Sequence, residues 1–246
     1  MQLPDSKTML LSSRLGKRLD ALGLANFREY FRLISTPQEV QERQRAIDLI
    51  TTNETYFFRE PQHFDYLRET ILPQAHDSPN FRVWSAASST GEEAYTLAMV
   101  LDQARGPKPW QIDASDVSSR VLSFAKRGLY IEERGKLIPT ALLQRYCLRG
   151  TGQYLGHFLV ESALRQRVNF RQMNLMAIEP SLGLFDVIFL RNVLIYFDLP
   201  TKARVVKAIG RHLRPGAYLI VGAAESLQGM TEDLQACGKS VFRYRA

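Results

Sequence analysis

The feature that most constrains the fold is an alternation of strand and helix patterns from residue 81 to the end of the chain. Apolar β-forming runs at residues 81–86 and 185–190 are followed by helical patterns at residues 91–105 and 200–213. Repeated strand-helix units imply a largely parallel sheet with helices on both faces. In such a sheet, ligands bind beyond the carboxyl ends of the strands, where the strand order reverses.

Two segments depart from this alternation. Residues 6–52 carry leucines at helical spacing with few strand signals, which predicts a helical N-terminal unit that includes the start of a linker, over residues 1–60. An α/β domain is then expected over residues 61–246. Within it, glycines and β-formers at about 148–168 predict a small antiparallel β-subdomain, inserted before a strand near Val168.

Composition excludes several classes of protein. The chain has no run of ~18 apolar residues, so a membrane-spanning helix is not expected. Residues 1–5 show no export leader, and the two cysteines form neither a disulfide framework nor a metal-ligand spacing. We therefore expect a cytoplasmic protein without a metal site and without direct membrane insertion.

The positive charge is unevenly distributed. The net charge is +7, and residues 120–175 hold ten lysines and arginines against three glutamates. A basic face suggests an acidic partner, which is either nucleic acid or an acidic protein surface. A basic surface that is simply solvated is an equally good interpretation.

The loop after the first predicted strand has the character of a ligand site. Small side chains at residues 85–91 allow a ligand to approach the backbone, but the loop has neither the GxGxxG pattern nor a Walker lysine. Glu92 and Glu93 would repel a phosphate at the start of the next helix and suit a cationic group. The local alternative is that Thr90 and Glu93 form a capping box.

Asp116 closes the second predicted strand, where an acid accepts hydrogen bonds from ribose hydroxyls. The alternative is that Asp116 caps the following helix. A small-residue loop and a ribose acid without a phosphate-binding device together suggest a nucleoside that lacks phosphates. S-adenosylmethionine, which has a ribose, an ammonium, a carboxylate and a sulfonium, fits this pattern.

Five segments in order resemble the CheR-type chemotaxis receptor methyltransferases. They are TTNETYFFRE at 51–60, RVWSAASSTGEEAYT at 82–96, ASDV at 114–117, MNL at 173–175 and RNVLIYF at 191–197. The resemblance covers nearly the whole chain. It implies a Rossmann-like S-adenosylmethionine-dependent methyltransferase sheet and a protein-glutamate O-methyltransferase, with S-adenosylhomocysteine as the product.

The resemblance also implies roles for individual residues. Asn53, Thr55 and Arg59 would lie beside the methionine end of the cofactor, and Glu93 would bind its ammonium. Asp116 would hold the ribose, Asn174 and the backbone at Leu175 would contact the adenine, and Arg191 and Asn192 would line the methionine end. Arg59 would orient the incoming glutamate as a catalytic cation, and Tyr196 would donate a hydrogen bond and shape the pocket.

The partner implied by the resemblance is the cytoplasmic helical bundle of a methyl-accepting chemotaxis receptor. Arg14, Lys17 and Arg18 would meet its acidic surface, and in some relatives the β-subdomain binds a receptor tail peptide by strand addition.

Two other interpretations of the function remain. A nucleic-acid methyltransferase would fit the charge, but the Asn/Asp-Pro-Pro-Tyr stretch of DNA amino-methyltransferases is absent. The other is a non-catalytic adaptor that senses S-adenosylmethionine.

Overall fold

The computed structural model describes residues 8–75 and 78–245, so the expectation about residues 1–5 lies outside the described residues. The first part of the chain is helical: α1 (Thr8–Leu22), α2 (Phe27–Ile34) and α3 (Val40–Ile50). Leu15, Tyr30 and Ala46 form the buried centre between these helices. None of the helices described is long and apolar enough to cross a membrane.

A buried ion pair holds the three helices together. The Glu42 carboxylate, in α3, accepts hydrogen bonds from the Arg18 guanidinium at 2.7 and 2.8 Å and from the Tyr30 hydroxyl at 3.0 Å. These contacts connect all three helices, and they hold the pKa of Glu42 below its usual value, mainly through Arg18. Asn26 is the N-cap of α2, because its side chain accepts from the backbone N–H of Glu29.

The rest of the chain forms two sheets and the helices that pack on them. The helices are α4 (Gln62–Tyr66), α5 (Leu72–Gln74), α6 (Glu92–Arg105), α7 (Ser119–Arg127), α8 (Thr140–Tyr146), α9 (Ser162–Arg165) and α10 (Leu199–Gly210). A π-helical turn, Leu67–Ile71, joins α4 to α5. The strands are β1 (Phe81–Ser85), β2 (Trp110–Asp116), β3 (Leu129–Ile131), β4 (Cys147–Arg149), β5 (His157–Val160), β6 (Val168–Gln172), β7 (Phe185–Leu190), β8 (Leu213–Val221), β9 (Leu234–Gly238) and β10 (Val241–Tyr244).

The large sheet has the order β6-β2-β1-β7-β8-β10-β9. Its first five strands are parallel, whereas β10 pairs antiparallel with both β8 and β9. The predicted Rossmann-like α/β class is therefore confirmed, with an antiparallel edge added. The chain order reverses between β1 and β7, so their carboxyl ends flank the crevice where ligands bind in such sheets.

The small antiparallel sheet has the order β3-β5-β4. Its first strand lies at Leu129–Ile131, well before the expected start near 148, and Val168 already belongs to β6 of the large sheet. The expected limits of about 148–168 therefore do not coincide with those of the sheet. Leu129–Ile131 is recruited because Tyr130 is fully buried and stacks on Phe158 of β5, at 5.6 Å between ring centroids.

Aromatic side chains fasten the linker to both sheets. Phe57 is fully buried and contacts Tyr130 and Phe158 of the small sheet, with ring centroids at 5.0 and 5.8 Å. Phe64 of α4 stacks on Phe189 of β7 at 5.8 Å. The segment 51–60 is thereby held over the carboxyl ends of the parallel strands.

Candidate functional site

A cavity of about 310 Å³ opens at the carboxyl ends of β1, β2, β6 and β7. Its wall comes from α3, the linker and the loops that follow these strands. All ten residues expected at the cofactor and catalytic site line it: Asn53, Thr55, Arg59, Glu93, Asp116, Asn174, Leu175, Arg191, Asn192 and Tyr196. The structure thus brings together side chains that are up to 143 positions apart in the sequence.

The loop after β1 forms one wall of the cavity. Gly91 is the N-cap of α6 at φ 95°, and a Cβ atom there would lie 2.8 Å from the Cβ of Ala125, so glycine is required. The capping-box alternative is wrong. The Thr90 hydroxyl donates to Glu92, whereas Glu93 accepts from the hydroxyl of Ser85 at 2.7 Å and lines the cavity.

Asp116 is held by the backbone on two sides. One carboxylate oxygen accepts from the N–H of Ser89 and the other from the N–H of Ser118, each at 2.9 Å. The N-cap of α7 is Ser118, so Asp116 does not take the capping position. Burial raises the pKa of Asp116, although the backbone hydrogen bonds oppose this shift. Each oxygen keeps acceptor capacity, which suits a pair of ribose hydroxyls.

Arg191 lies between two carboxylates beneath the cavity. Its guanidinium is 2.9 Å from Glu93 and 3.4 Å from Glu60, and it also donates to the carbonyl of Arg59. Burial raises the pKa of Glu93, and the charge of Arg191 opposes the rise. The pKa of Glu60 is lowered: burial acts to raise it, but the hydrogen bond from Asn192 and the charge of Arg191 outweigh burial.

The surroundings of Arg59 differ from those of Arg191. Its guanidinium donates to the carbonyl of Glu54 at 2.9 Å and lies over the ring of Tyr56, 5.7 Å from the centroid. Within residues 8–75 and 78–245, no carboxylate lies at ion-pair distance from Arg59. It therefore presents a cavity-lining positive charge that the described side chains do not neutralise.

The remaining cavity residues have more local contacts. Asn53 accepts from the Thr51 hydroxyl through its side chain and from the Ser89 hydroxyl through its carbonyl, at 3.2 and 3.0 Å. The side-chain oxygen of Asn174 accepts from the N–H of Met176, which leaves its amide N–H groups for a ligand. Leu175 is buried, and Tyr196 is half-buried.

Helix α3 is fixed directly to the carboxyl end of the sheet. Asp48 accepts from the Ser119 hydroxyl at 2.8 Å, and Gln44 donates to the carbonyl of Val117 at 3.0 Å. On the same side, Ile47 and Ile50 of α3 line the cavity. The helical unit is therefore part of the site.

The three basic residues expected to dock the receptor do not line the cavity, and they differ in their surroundings. Arg14 donates to the carbonyls of Ile50 and Thr51 at 2.9 and 3.2 Å, and so supports the linker from behind. Arg18 pairs with the buried Glu42. Lys17 is exposed. Their docking role stays a prediction.

Many charges of the basic stretch 120–175 are also paired. Arg134 pairs with the fully buried Glu92, and Arg171 lies 2.8 Å from the buried carboxylate of Asp113. A charge count along the sequence therefore overstates the basic surface, because these two guanidinium groups compensate buried acids.

Three further residues at or beneath the site were not predicted from the sequence. Glu60 and Ser89 lie inside the family-like segments at 51–60 and 82–96, and His63 is almost fully buried, 3.4 Å from Glu60. Burial and the charge of Arg191 lower the pKa of His63 to about 4. No sequence signal marks Glu60 and Ser89, because their hydrogen bonds to the strand-end residues span 27 to 163 positions of the chain.

Comparison with known proteins agrees with this geometry. A family model described as the SAM binding domain of CheR methyltransferase matches residues 53–242, and one described as its all-alpha domain matches residues 1–51. Chemotaxis protein methyltransferase 2 of Pseudomonas aeruginosa is 40% identical over 245 residues, covering 98% of this chain and 87% of that protein. The chemotaxis protein methyltransferase of Escherichia coli K12 is 38% identical over 243 residues, covering 98% and 84%.

Among solved structures, the N-methyltransferase NodS of Bradyrhizobium japonicum in complex with S-adenosylhomocysteine has a TM-score of 0.46 at 14% identity. That match covers 88% of this chain and 97% of NodS. S-adenosylmethionine is the cofactor of the matched domain, and the residues of the cavity have the chemistry to hold it: Asp116 has acceptor capacity for the ribose, Glu93 has a carboxylate for the ammonium, and Asn174 has amide N–H groups for the adenine. Both family models and the near-complete matches to relatives lead to one assignment: this chain belongs to the CheR methyltransferase family.

Proposed function

We propose that this S-adenosylmethionine-dependent methyltransferase esterifies glutamate side chains on the cytoplasmic helical bundle of a chemoreceptor. The observation that carries the proposal is Arg59, the cavity-lining cation without a carboxylate partner among the described side chains. Its guanidinium can grip an incoming carboxylate through two parallel hydrogen bonds. The other cavity-lining cation, Arg191, already pairs with Glu60 and Glu93.

The reaction needs no proton transfer. A glutamate side chain with a reference pKa near ~4.3 is ionised at neutral pH and is already a nucleophile. One carboxylate oxygen forms a bond to the methyl carbon as the carbon–sulfur bond breaks, and that electron pair stays on sulfur. No histidine is among the residues that line the cavity, which agrees with a reaction that requires no general base.

Catalysis then rests on positioning and on removal of water from the nucleophile. A buried carboxylate is costly unless a cation pairs with it, and Arg59 supplies that partner. Phe57, fully buried against the small sheet, anchors the segment from which Arg59 reaches the cavity. Tyr196 also lines the cavity and restricts the space around the reacting atoms.

Receptor docking is proposed for two surfaces. Lys17 is exposed on α1 and suits the acidic surface of a receptor bundle. The small sheet has β4 at its edge, with backbone groups that an extended receptor tail peptide would pair with.

The test is transfer of labelled methyl from S-adenosylmethionine to receptor membranes, followed by mild alkali. Methyl esters release methanol under these conditions, whereas methylated amines do not. We expect alkali-labile label with the wild type and none with Arg59→Ala, while Arg68→Ala, which removes an exposed arginine from the surface, stays active. Alkali-stable label, or near-normal turnover by a folded Arg59→Ala protein, would contradict the proposal.

A further inference from the structure

Strained backbone is concentrated around Arg59. The two residues that flank it, Phe58 and Glu60, have φ angles of 55° and 56°. Ser89 and Asn192, which line the cavity, have φ angles of 48° and 56°. Non-glycine residues rarely adopt positive φ, and they keep it only where surrounding contacts determine the conformation. Something must therefore hold the linker in the shape that directs Arg59 into the cavity.

The carboxylate of Glu60 makes contacts that do this. One oxygen accepts from the Asn192 side-chain amide at 3.2 Å, and the other accepts from the backbone N–H of Ala223 at 2.9 Å. The second oxygen also lies 3.4 Å from the guanidinium of Arg191. Asn192 follows β7 and Ala223 follows β8, so one side chain ties the linker to the ends of two neighbouring strands.

Further contacts converge on the same short segment. Arg191 donates to the carbonyl of Arg59, and the N–H of Phe58 donates to the Thr96 hydroxyl at 3.2 Å. The Arg191 contact also reaches the carboxyl end of β7, whereas the Glu60 carboxylate adds the contact with the loop after β8. The Glu60 side chain is 18% exposed, and its lowered pKa keeps it ionised at neutral pH, so both oxygens accept.

We propose that Glu60 is a positioning residue for methyl transfer, whose carboxylate fixes the backbone that directs Arg59 into the cavity. The inference rests on the role proposed above for Arg59. Glu60 is not among the residues that line the cavity, so its effect on the reaction passes through Arg59. Misplacement of a catalytic group by about 1 Å is enough to slow a reaction about 100-fold.

Glu60→Gln tests this with little change in shape. The amide keeps only one acceptor oxygen and loses the charge, so the Asn192 and Ala223 N–H groups can no longer both donate from their present orientations, and the charge attraction to Arg191 is lost. We expect kcat for receptor methylation to fall about 10- to 100-fold, while the Kd for S-adenosylhomocysteine stays within about threefold. Glu69→Gln, which alters an exposed glutamate in the π-helical turn after α4, is the matched control and is expected to behave as wild type.

A double-mutant cycle with Arg59→Lys separates positioning from a general structural role. If Glu60 acts through Arg59, adding Glu60→Gln to Arg59→Lys lowers kcat by less than about threefold. If the two losses multiply in full, the inference is wrong. A wild type that gives no alkali-labile product would contradict the proposed function instead.

Hydrogen exchange supplies a readout that does not depend on the reaction. Peptides covering residues 55–61 are expected to exchange faster in Glu60→Gln than in the wild type or Glu69→Gln. Equal protection in all three proteins would overturn the inference. Should Glu60→Gln fail to fold, Glu60→Asp, which keeps the charge on a shorter side chain, enters the same measurements with the same expectations.

Discussion

Replacing Asp116 by asparagine tests the ribose assignment most directly. The carboxylate has about four acceptor positions, and the N–H groups of Ser89 and Ser118 occupy two of them. Two positions remain for ribose hydroxyls. Asparagine keeps one oxygen and no charge, so at least one charge-assisted hydrogen bond to the ligand is lost.

The expected losses follow from these contacts. A hydrogen bond to a charged group contributes about 1.5–3 kcal/mol, so the Kd for S-adenosylhomocysteine should rise roughly 10- to 150-fold. One backbone N–H also loses its acceptor within the protein, which should lower the free energy of unfolding by about 1–3 kcal/mol. Alanine at position 116 would strip both N–H groups of their acceptor and would mix folding with binding more severely.

Calorimetry of S-adenosylhomocysteine binding, paired with urea unfolding, separates the two effects. Asp113→Asn is the control, because Asp113 lies on the same strand, is 1% exposed, and contacts Arg82 and Arg171 away from the cavity. It should lower stability while leaving the Kd unchanged. Wild-type affinity in folded Asp116→Asn would refute the ribose assignment.

Three further predictions concern charge. Glu93→Gln should weaken S-adenosylhomocysteine binding about tenfold or more. The affinity for methylthioadenosine, which has no ammonium, should stay unchanged. Equal losses for both ligands in calorimetry would contradict the assignment of Glu93 to the ammonium. Because the pKa of His63 falls from 6.5 unfolded to about 4 folded, the unfolded chain binds more protons between these values. The contribution of neutral His63 to stability is therefore fully present above pH 6.5, and the free energy of unfolding should fall by about 2 kcal/mol from pH 7 to pH 5. Urea unfolding at the two pH values should show a smaller fall in His63→Asn than in the wild type. Arg18→Ala should lower the free energy of unfolding by about 3 kcal/mol, because it leaves Glu42 buried without its main partner. Lys17→Ala should lower it by less than about 0.5 kcal/mol. Similar values for the two variants would show that the Arg18–Glu42 pair does not stabilise the fold.

The centre of the sheet was predictable because β1, β2, β7 and β8 are largely buried. Phe185–Leu190 is apolar except for Asp186, and such runs are visible in a single sequence. The strand Leu129–Ile131 was not predicted, because three residues carry too little pattern and its place depends on Tyr130 packing against Phe158. The edge strand Leu234–Gly238 was not predicted either, because it is mostly exposed and therefore has no apolar pattern.

The residues of the site also differ in how far the sequence predicts them. Residues at strand ends, such as Asp116 and Arg191, can be located from the order of the strands and from the family resemblance. Their partners cannot, since the contact of Glu60 with Ala223 joins positions 163 residues apart. Whether a charged side chain is exposed or paired is the property that the sequence predicts least well. Arg18 looks like a surface cation in the sequence, but in the structure it compensates a buried acid.

The contribution of α3 to the cavity wall has a consequence for the unfolding of the protein. A ligand that touches Ile47 and Ile50 as well as Asp116 gains its full binding energy only when the helical unit and the sheet are both folded and in contact. At a ligand concentration of 100 times Kd, this linkage adds about 2.7 kcal/mol to the native state. A bound ligand therefore favours unfolding of the two parts in one transition, and cofactor occupancy becomes thermodynamically coupled to the order of α1, the helix that carries Lys17.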